Sequence, residues 1–281
     1  MMELVTASPI ERVVEIMEAP DRELDLAEAA LLIAKEEYPG LDVGHSMGRI
    51  AALAQTVAER LPGEVGVGDA VYALNEYLFA EEDFSDESDA DPRNGFLNEL
   101  LDRHRGMPAL LAILYVSVGR CLGLPLQCVA LPGHFLVKFP QAEGSVIIDP
   151  SKGGAYLDEL AVRATLARAY GEDVPEAYLP ALLAPATKRD VVLRLLRGLK
   201  ENYLRAQRLD KALWFADYIL RLAPEQTHEL RERAHLYELL HHTHAAAADY
   251  RRYLELAPDA ADRAEIRRRL RRLDDKGVYL H

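Results

Sequence analysis

The chain has 281 residues, 49% hydrophobic and 28% charged, an ordinary globular composition with enough length for one large core or two smaller ones. Its 46 acidic side chains outnumber 33 basic ones, and a net charge of −13 argues against nucleic acid or an anionic membrane as a partner of the whole chain. The longest apolar run, around Leu110 to Val118, is far too short for a bilayer, the N-terminal residues lack a secretory pattern, and two cysteines make no disulfide framework, so a cytoplasmic protein is expected.

The first hundred residues read as helices. Leu26, Ala29, Ala30, Ile33 and Ala34 recur at helical spacing behind Asp25, a side chain suited to an N-cap, and Tyr38-Pro39-Gly40 stops the pattern. Met47 to Leu61 predicts a second helix and Asp69 to Phe79 a third. Glu81 to Pro92 then carries seven acidic groups in 12 residues. The glycine and terminal glutamate spacing of a calcium loop is missing, so a solvated loop is expected and no metal is assigned.

From Arg105 the pattern changes. Gly106-Met107-Pro108 precedes a strongly apolar helix, Ala109 to Leu122, with proline at its first turn, where it is tolerated. Gly123 and Pro125 end it. LQCVAL, HFLVKF and SVIID follow as three short strands joined by Pro132-Gly133 and by residues 141–144, in an antiparallel meander of at least three strands with Phe135, Val137 and Phe139 on one face. The N-terminal domain is therefore α+β.

Pro180 and Pro185 bracket a short apolar stretch that reads as a linker. Charge shifts across it: the residues from Ala181 onward carry 20 basic and 15 acidic side chains, leaving the first 180 with a net −18. Beyond the linker Leu222-Ala223-Pro224 recurs as Leu256-Ala257-Pro258, and the same offset of 34 relates Tyr203 to Tyr237 and Ala212 to Ala246. That period is the tetratricopeptide repeat's, a helical hairpin whose small positions let neighbouring helices approach. Helices are expected at about 189–206, 210–222, 227–241 and 244–256, with a capping helix at about 259–273. Two domains are expected, 1–180 and 188–281, the first divided into a helical subdomain (residues 1–100) and a core (residues 101–180).

The string DPRNGFLNELLDRHRGMPALLAILYVSVGRCLGLP, followed by LPGHFLVKF and IIDPSKGG, resembles the SirB-type subgroup of the transglutaminase-like, papain-related superfamily. The likeness covers about residues 20–175 and extends through the repeats. It implies a papain-like core behind a helical segment, and an active site of cysteine, histidine and aspartate. In catalytic members the cysteine starts the core helix, where the dipole favours a thiolate and amides hold an oxyanion. The histidine is the base and the aspartate orients it.

Carried onto this chain, the resemblance makes His134 the base and Asp149 its orienter, and the cysteine position falls on Pro108. Met107, Ala109 and Leu110 supply no nucleophile either. Cys121 lies at the far end of the same helix, where the dipole disfavours a thiolate. Cys128 sits between apolar neighbours in LQCVAL and reads as a buried structural thiol, a weak substitute at most. His241, His242 and His244 cluster at a turn without the spacing of a metal site. Arg267, Arg268, Arg269, Arg271 and Arg272 give the last helix a basic face suited to a solvated cap, with no nucleic-acid module around it. No cofactor is implied. The leading expectation is a non-catalytic adaptor that binds a protein or peptide through its repeats, with no nucleic acid and no membrane. The alternative is an amide hydrolase or acyl-transferase in which His134 and Asp149 serve Cys128 or an activated water.

Overall fold

Capping chemistry sets where the early helices begin. The computed structural model describes residues 9–18, 25–63, 65–87, 91–141, 144–171 and 174–278, and opens with α1 (Pro9–Glu18), α2 (Leu26–Glu37) and α3 (Val43–Arg60). The Asp25 carboxylate accepts hydrogen bonds from the Ala27 and Glu28 amides at 2.9 and 3.2 Å, and Asp42 accepts one from His45 at 2.9 Å. Each carboxylate satisfies amides that the first turn leaves without a helical partner. Because Asp42 is the cap, α3 starts ahead of the expected Met47. The third expected helix is α4 (Val67–Asn75), which widens into a π-helical turn over Glu76–Glu81.

The described acidic residues of Glu81 to Pro92 are exposed or half-buried, as a solvated stretch requires, but the segment also carries a short strand. Within it β1 (Ser85–Asp86) pairs in parallel with β2 (Arg105–Gly106), on the far side of α5 (Leu97–Arg103). That pairing brings basic groups alongside: Arg103 donates to Glu87 at 3.1 Å and Arg105 to Asp83 at 2.6 Å, while Arg93 holds Asp91 at 2.6 Å. Ser88, Asp89 and Ala90 lie outside the described residues.

α6 (Pro108–Cys121) carries Pro108 at its first position, and ten of its fourteen residues are buried, so it is apolar around most of its circumference and occupies the core. β3 (Gln127–Leu131), β4 (His134–Gln141), β5 (Gly144–Asp149) and β6 (Ala155–Leu157) form one antiparallel meander in that order. β6 carries only three residues and was not among the expected strands. Val129, Leu131, Leu136 and Ile147 pack against Val162 and Leu166 of α7 (Glu159–Tyr170). Phe135, Val137 and Phe139 alternate with Leu136 onto the opposite face and are buried, and β4 packs on α6. The sheet is thus covered on both sides, in keeping with its near-continuous apolar strands.

The proline-bracketed stretch holds a short helix, α8 (Leu179–Leu182), and is tied to the sheet. Lys138 Nζ donates to the Leu183 carbonyl at 2.7 Å, and the Ala186 amide donates to the Cys128 carbonyl at 2.9 Å. The chain divides into two compact units not there but within α9 (Lys188–Arg205): the first ends at Leu195 and the second begins at Leu196.

The second unit continues with α10 (Leu209–Leu222), α11 (Thr227–Leu239), α12 (Thr243–Leu256) and α13 (Arg263–Val278). Ala212 and Ala246, one period apart, are fully buried, as a close helix approach requires. Arg197 and Arg231 are also 34 apart, and each reaches a carboxylate further along the chain, Glu229 at 2.7 Å and Asp262 at 2.8 Å. On α13, Ile266 and Leu273 are buried while Arg267, Arg268, Arg271 and Arg272 are exposed.

Candidate functional site

His134 opens β4 directly after the Pro132-Gly133 turn, and Asp149 closes β5. Because the two strands are antiparallel neighbours, the start of one lies beside the end of the other, and His134 Nε2 stands 3.0 Å from Asp149 Oδ2. With Nε2–H donating to the carboxylate, the lone pair lies on Nδ1, which has no partner among the described residues.

Asp149 is fully buried, and both of its oxygens are engaged. Lys152 Nζ reaches Oδ2 at 2.8 Å; the Ser151 amide and hydroxyl donate to Oδ1 at 3.1 and 2.6 Å. Burial pushes the carboxyl pKa up, but the hydrogen bonds from His134, Lys152 and Ser151 outweigh it and hold the group well below the usual carboxylate range. Asp149 also caps the 3-10 turn Pro150–Lys152, so the residue that orients His134 shapes the loop that carries Lys152.

A second layer fixes that loop from below. Asn75, at the end of α4, donates from Nδ2 to the Gly154 carbonyl at 2.9 Å and accepts from the Tyr115 hydroxyl of α6 at 2.7 Å. Phe79, on the π-helical turn, stacks on the buried Tyr115 ring with centroids 5.8 Å apart. Asn75 and Phe79, four residues apart and so on one helical face, lie together beneath Gly153 and Gly154.

No nucleophile stands at the start of α6. Pro108 is its first residue, and proline provides neither a reactive atom nor an amide hydrogen for an oxyanion. Met107, Ala109 and Leu110 are buried and equally inert. Cys128 is buried in β3, and burial pushes its thiol up to about 12, so almost none of it is thiolate near neutral pH. Cys121, the last residue of α6, is exposed.

Residues 45–197, more than half of the chain, match the transglutaminase-like superfamily. The chain belongs to that superfamily. Residues 199–271 match the tetratricopeptide repeat, so the family core precedes a repeat region. A UPF0162 protein of Xylella fastidiosa (strain 9a5c) is 37% identical over 93% of this chain and 94% of its own length. Another from Pseudomonas aeruginosa is 30% identical over 87% of this chain and 89% of its own. Protein SirB1 of Salmonella typhimurium is 24% identical over 87% of this chain and 90% of its own, which supports the SirB-type subgroup. Among solved structures, menin overlaps 94% of this chain at a TM-score of 0.45 and 14% identity.

Within this transglutaminase-like core the motif residues His134 and Asp149 meet, whereas Cys128 lies in the sheet interior. Sequence reasoning missed Ser151, Lys152, Asn75 and Tyr115. Only the first two had a local signal, since Asp-Pro-Ser is a strong Asx-turn pattern.

The thiols supply a direct check on the alternative nucleophile. Iodoacetamide at pH 6 to 8 should modify Cys121 in the folded protein and Cys128 only after denaturant is added, read by peptide mass spectrometry. Rapid native modification of Cys128 would contradict the buried placement and revive it as a nucleophile.

Proposed function

We propose that this protein is a non-catalytic member of the transglutaminase-like superfamily that acts as an adaptor, holding a segment of another protein on its repeats. The observation that carries the reading is a groove of about 610 Å³ in the second unit. Leu204, Leu236, Leu239 and Ile266 give it apolar contact area, with Arg231 and Arg269 beside them. Apolar anchors ringed by fixed charges suit a peptide better than a small metabolite. The charges are held in place: Arg231 pairs with Asp262, and Arg269 with Glu238 at 3.1 Å and Glu265 at 3.0 Å. Buried Lys200 bridges Glu229 and Glu232, both at 2.5 Å, under the same groove.

Pro108 supports the non-catalytic side of the reading. A thiol enzyme needs a polarised cysteine and an amide donor at the start of the core helix, and proline removes both at one position. Among the described residues no helix is long and apolar enough to cross a membrane.

The test compares wild type with Leu239→Asp in affinity capture from the source cells. Leu239 is 46% exposed, so the fold tolerates the change while the groove acquires a charge among its apolar anchors. A partner retained by wild type should be lost at least about tenfold by the variant. Equal retention by both would remove the groove from the reading.

A second reading rests on the oriented His134–Asp149 pair: a water activated by His134 Nδ1 could attack an amide. Release of ammonia or amine from a glutaminyl peptide, abolished by His134→Ala, would favour it over the adaptor.

A further inference from the structure

His134 and Lys152 open onto a cleft of about 330 Å³ that α7 closes with Thr165 and Arg168 and the Pro132-Gly133 turn completes. Among the described residues no carboxylate lines it, although the first 180 residues carry a net −18. Asp149, the nearest acid, is fully buried behind His134 and Lys152 with both oxygens engaged. Lys152 matches its single negative charge, so among the described residues Arg168 stands as an excess positive charge on the cleft wall.

Arg168 is held in place rather than paired off. Thr165 spends its hydroxyl hydrogen on the Ala161 carbonyl at 2.9 Å and is therefore left to accept, which it does from Arg168 Nη2 at 3.3 Å. Arg168 Nε donates to the Ala164 carbonyl, also at 3.3 Å. These two bonds are long and use two of the five guanidinium N–H groups, and no carboxylate among the described residues meets the others. The contrast lies on the same helix, where Arg163 pairs with Glu159 at 3.0 Å and lies 3.6 Å from Glu176.

We propose that this cleft is an oxyanion-binding site, taking a carboxylate or phosphate group between the Arg168 guanidinium and the Lys152 ammonium. A guanidinium fork suits two oxygens of such a group, and a charge-assisted pair is stronger than a neutral hydrogen bond. The cleft is at the small end of ligand pockets, so it accommodates the anion and a few attached atoms rather than a large cofactor. Thr165 is a positioning residue, acting through Arg168. The site is separate from the repeat groove and stands whether or not that groove holds a partner.

The test titrates the full-length protein with inorganic phosphate, N-acetylglycine and the uncharged N-acetylglycinamide, following backbone amide shifts of Gly133, Lys152 and Thr165 by NMR. Saturable shifts are expected with phosphate or N-acetylglycine in about the millimolar range, and none with the amide. Arg168→Gln, a surface change on a helix, should weaken binding about tenfold, while Arg163→Gln, off the cleft, should leave it unchanged. Stronger binding of phosphate would assign the site to a phosphate, and of N-acetylglycine to a chain-end carboxylate; either upholds the proposal. Absence of saturable shifts, equal shifts with the uncharged amide, or equal affinity in Arg168→Gln would overturn it.

Discussion

Replacing Gly154 with alanine is expected to destabilise the first unit by about 3 kcal/mol, from crowding and backbone strain together. The new Cβ would lie 2.3 Å from Asn75 Oδ1, 2.6 Å from Asn75 Cγ and 2.9 Å from Phe79 Cδ2, on a backbone whose φ is +73°. Asn75 cannot swing aside cheaply. It is nearly buried, and moving it breaks the bonds to the Gly154 carbonyl and from the Tyr115 hydroxyl, leaving buried polar groups unpaired. Gly153→Ala supplies the comparison. Its φ is also positive, at +64°, but the nearest foreign atom to its Cβ is Phe79 Cβ at 3.9 Å, an ordinary contact. Only backbone strain of about 1 kcal/mol should remain there. Urea titration with Cys128 labelling reports the first unit, because that thiol is buried in its sheet. Equal midpoints for the two variants would show that Asn75 does not clamp the loop.

That clamp illustrates what could and could not be read from the residue order. Asp25, Pro108 and the 34-residue offset were legible because caps, first-turn prolines and repeat periods are local signals. The meander was legible from short β-branched and aromatic runs, but β6 was not, since its three residues, Ala155, Tyr156 and Leu157, become a strand only by pairing with β5. The β1–β2 pair, about 20 residues apart in the chain, depends on α5 folding between its members, and composition alone does not reveal the pairing. His134 and Asp149 came from motif likeness rather than from spacing. Arg168 could not have come from either: nothing local tells which of many surface cations faces a cleft. The Asn75–Tyr115–Gly154 contacts join residues 40 and 79 positions apart and exist only in the packed core.

Lowering the pH should remove the contribution of Asp149 to stability, and Asp149→Asn should remove it at every pH. The carboxyl is held below its unfolded value of 3.8, so the unfolded chain binds the extra proton first as the solution is acidified. Stability is therefore fully present above the unfolded value and declines as pH falls from about 4 toward the folded value. Lys152 is 45% exposed, so its pairing with Asp149 is partly screened by solvent, and about 2 kcal/mol near neutral pH is the expected size. Wild type and Asp149→Asn should thus differ by that amount at pH 7 in urea titration, and the gap should narrow as pH drops below about 4. The asparagine also tests the loop. It keeps an oxygen for the Ser151 amide and hydroxyl but loses the charge that Lys152 and His134 share, so the 3-10 turn should persist while His134 loses its orientation. A stability gap that stays constant from pH 7 to pH 3 would mean that packing around residue 149, rather than its charge, supplies the stabilisation.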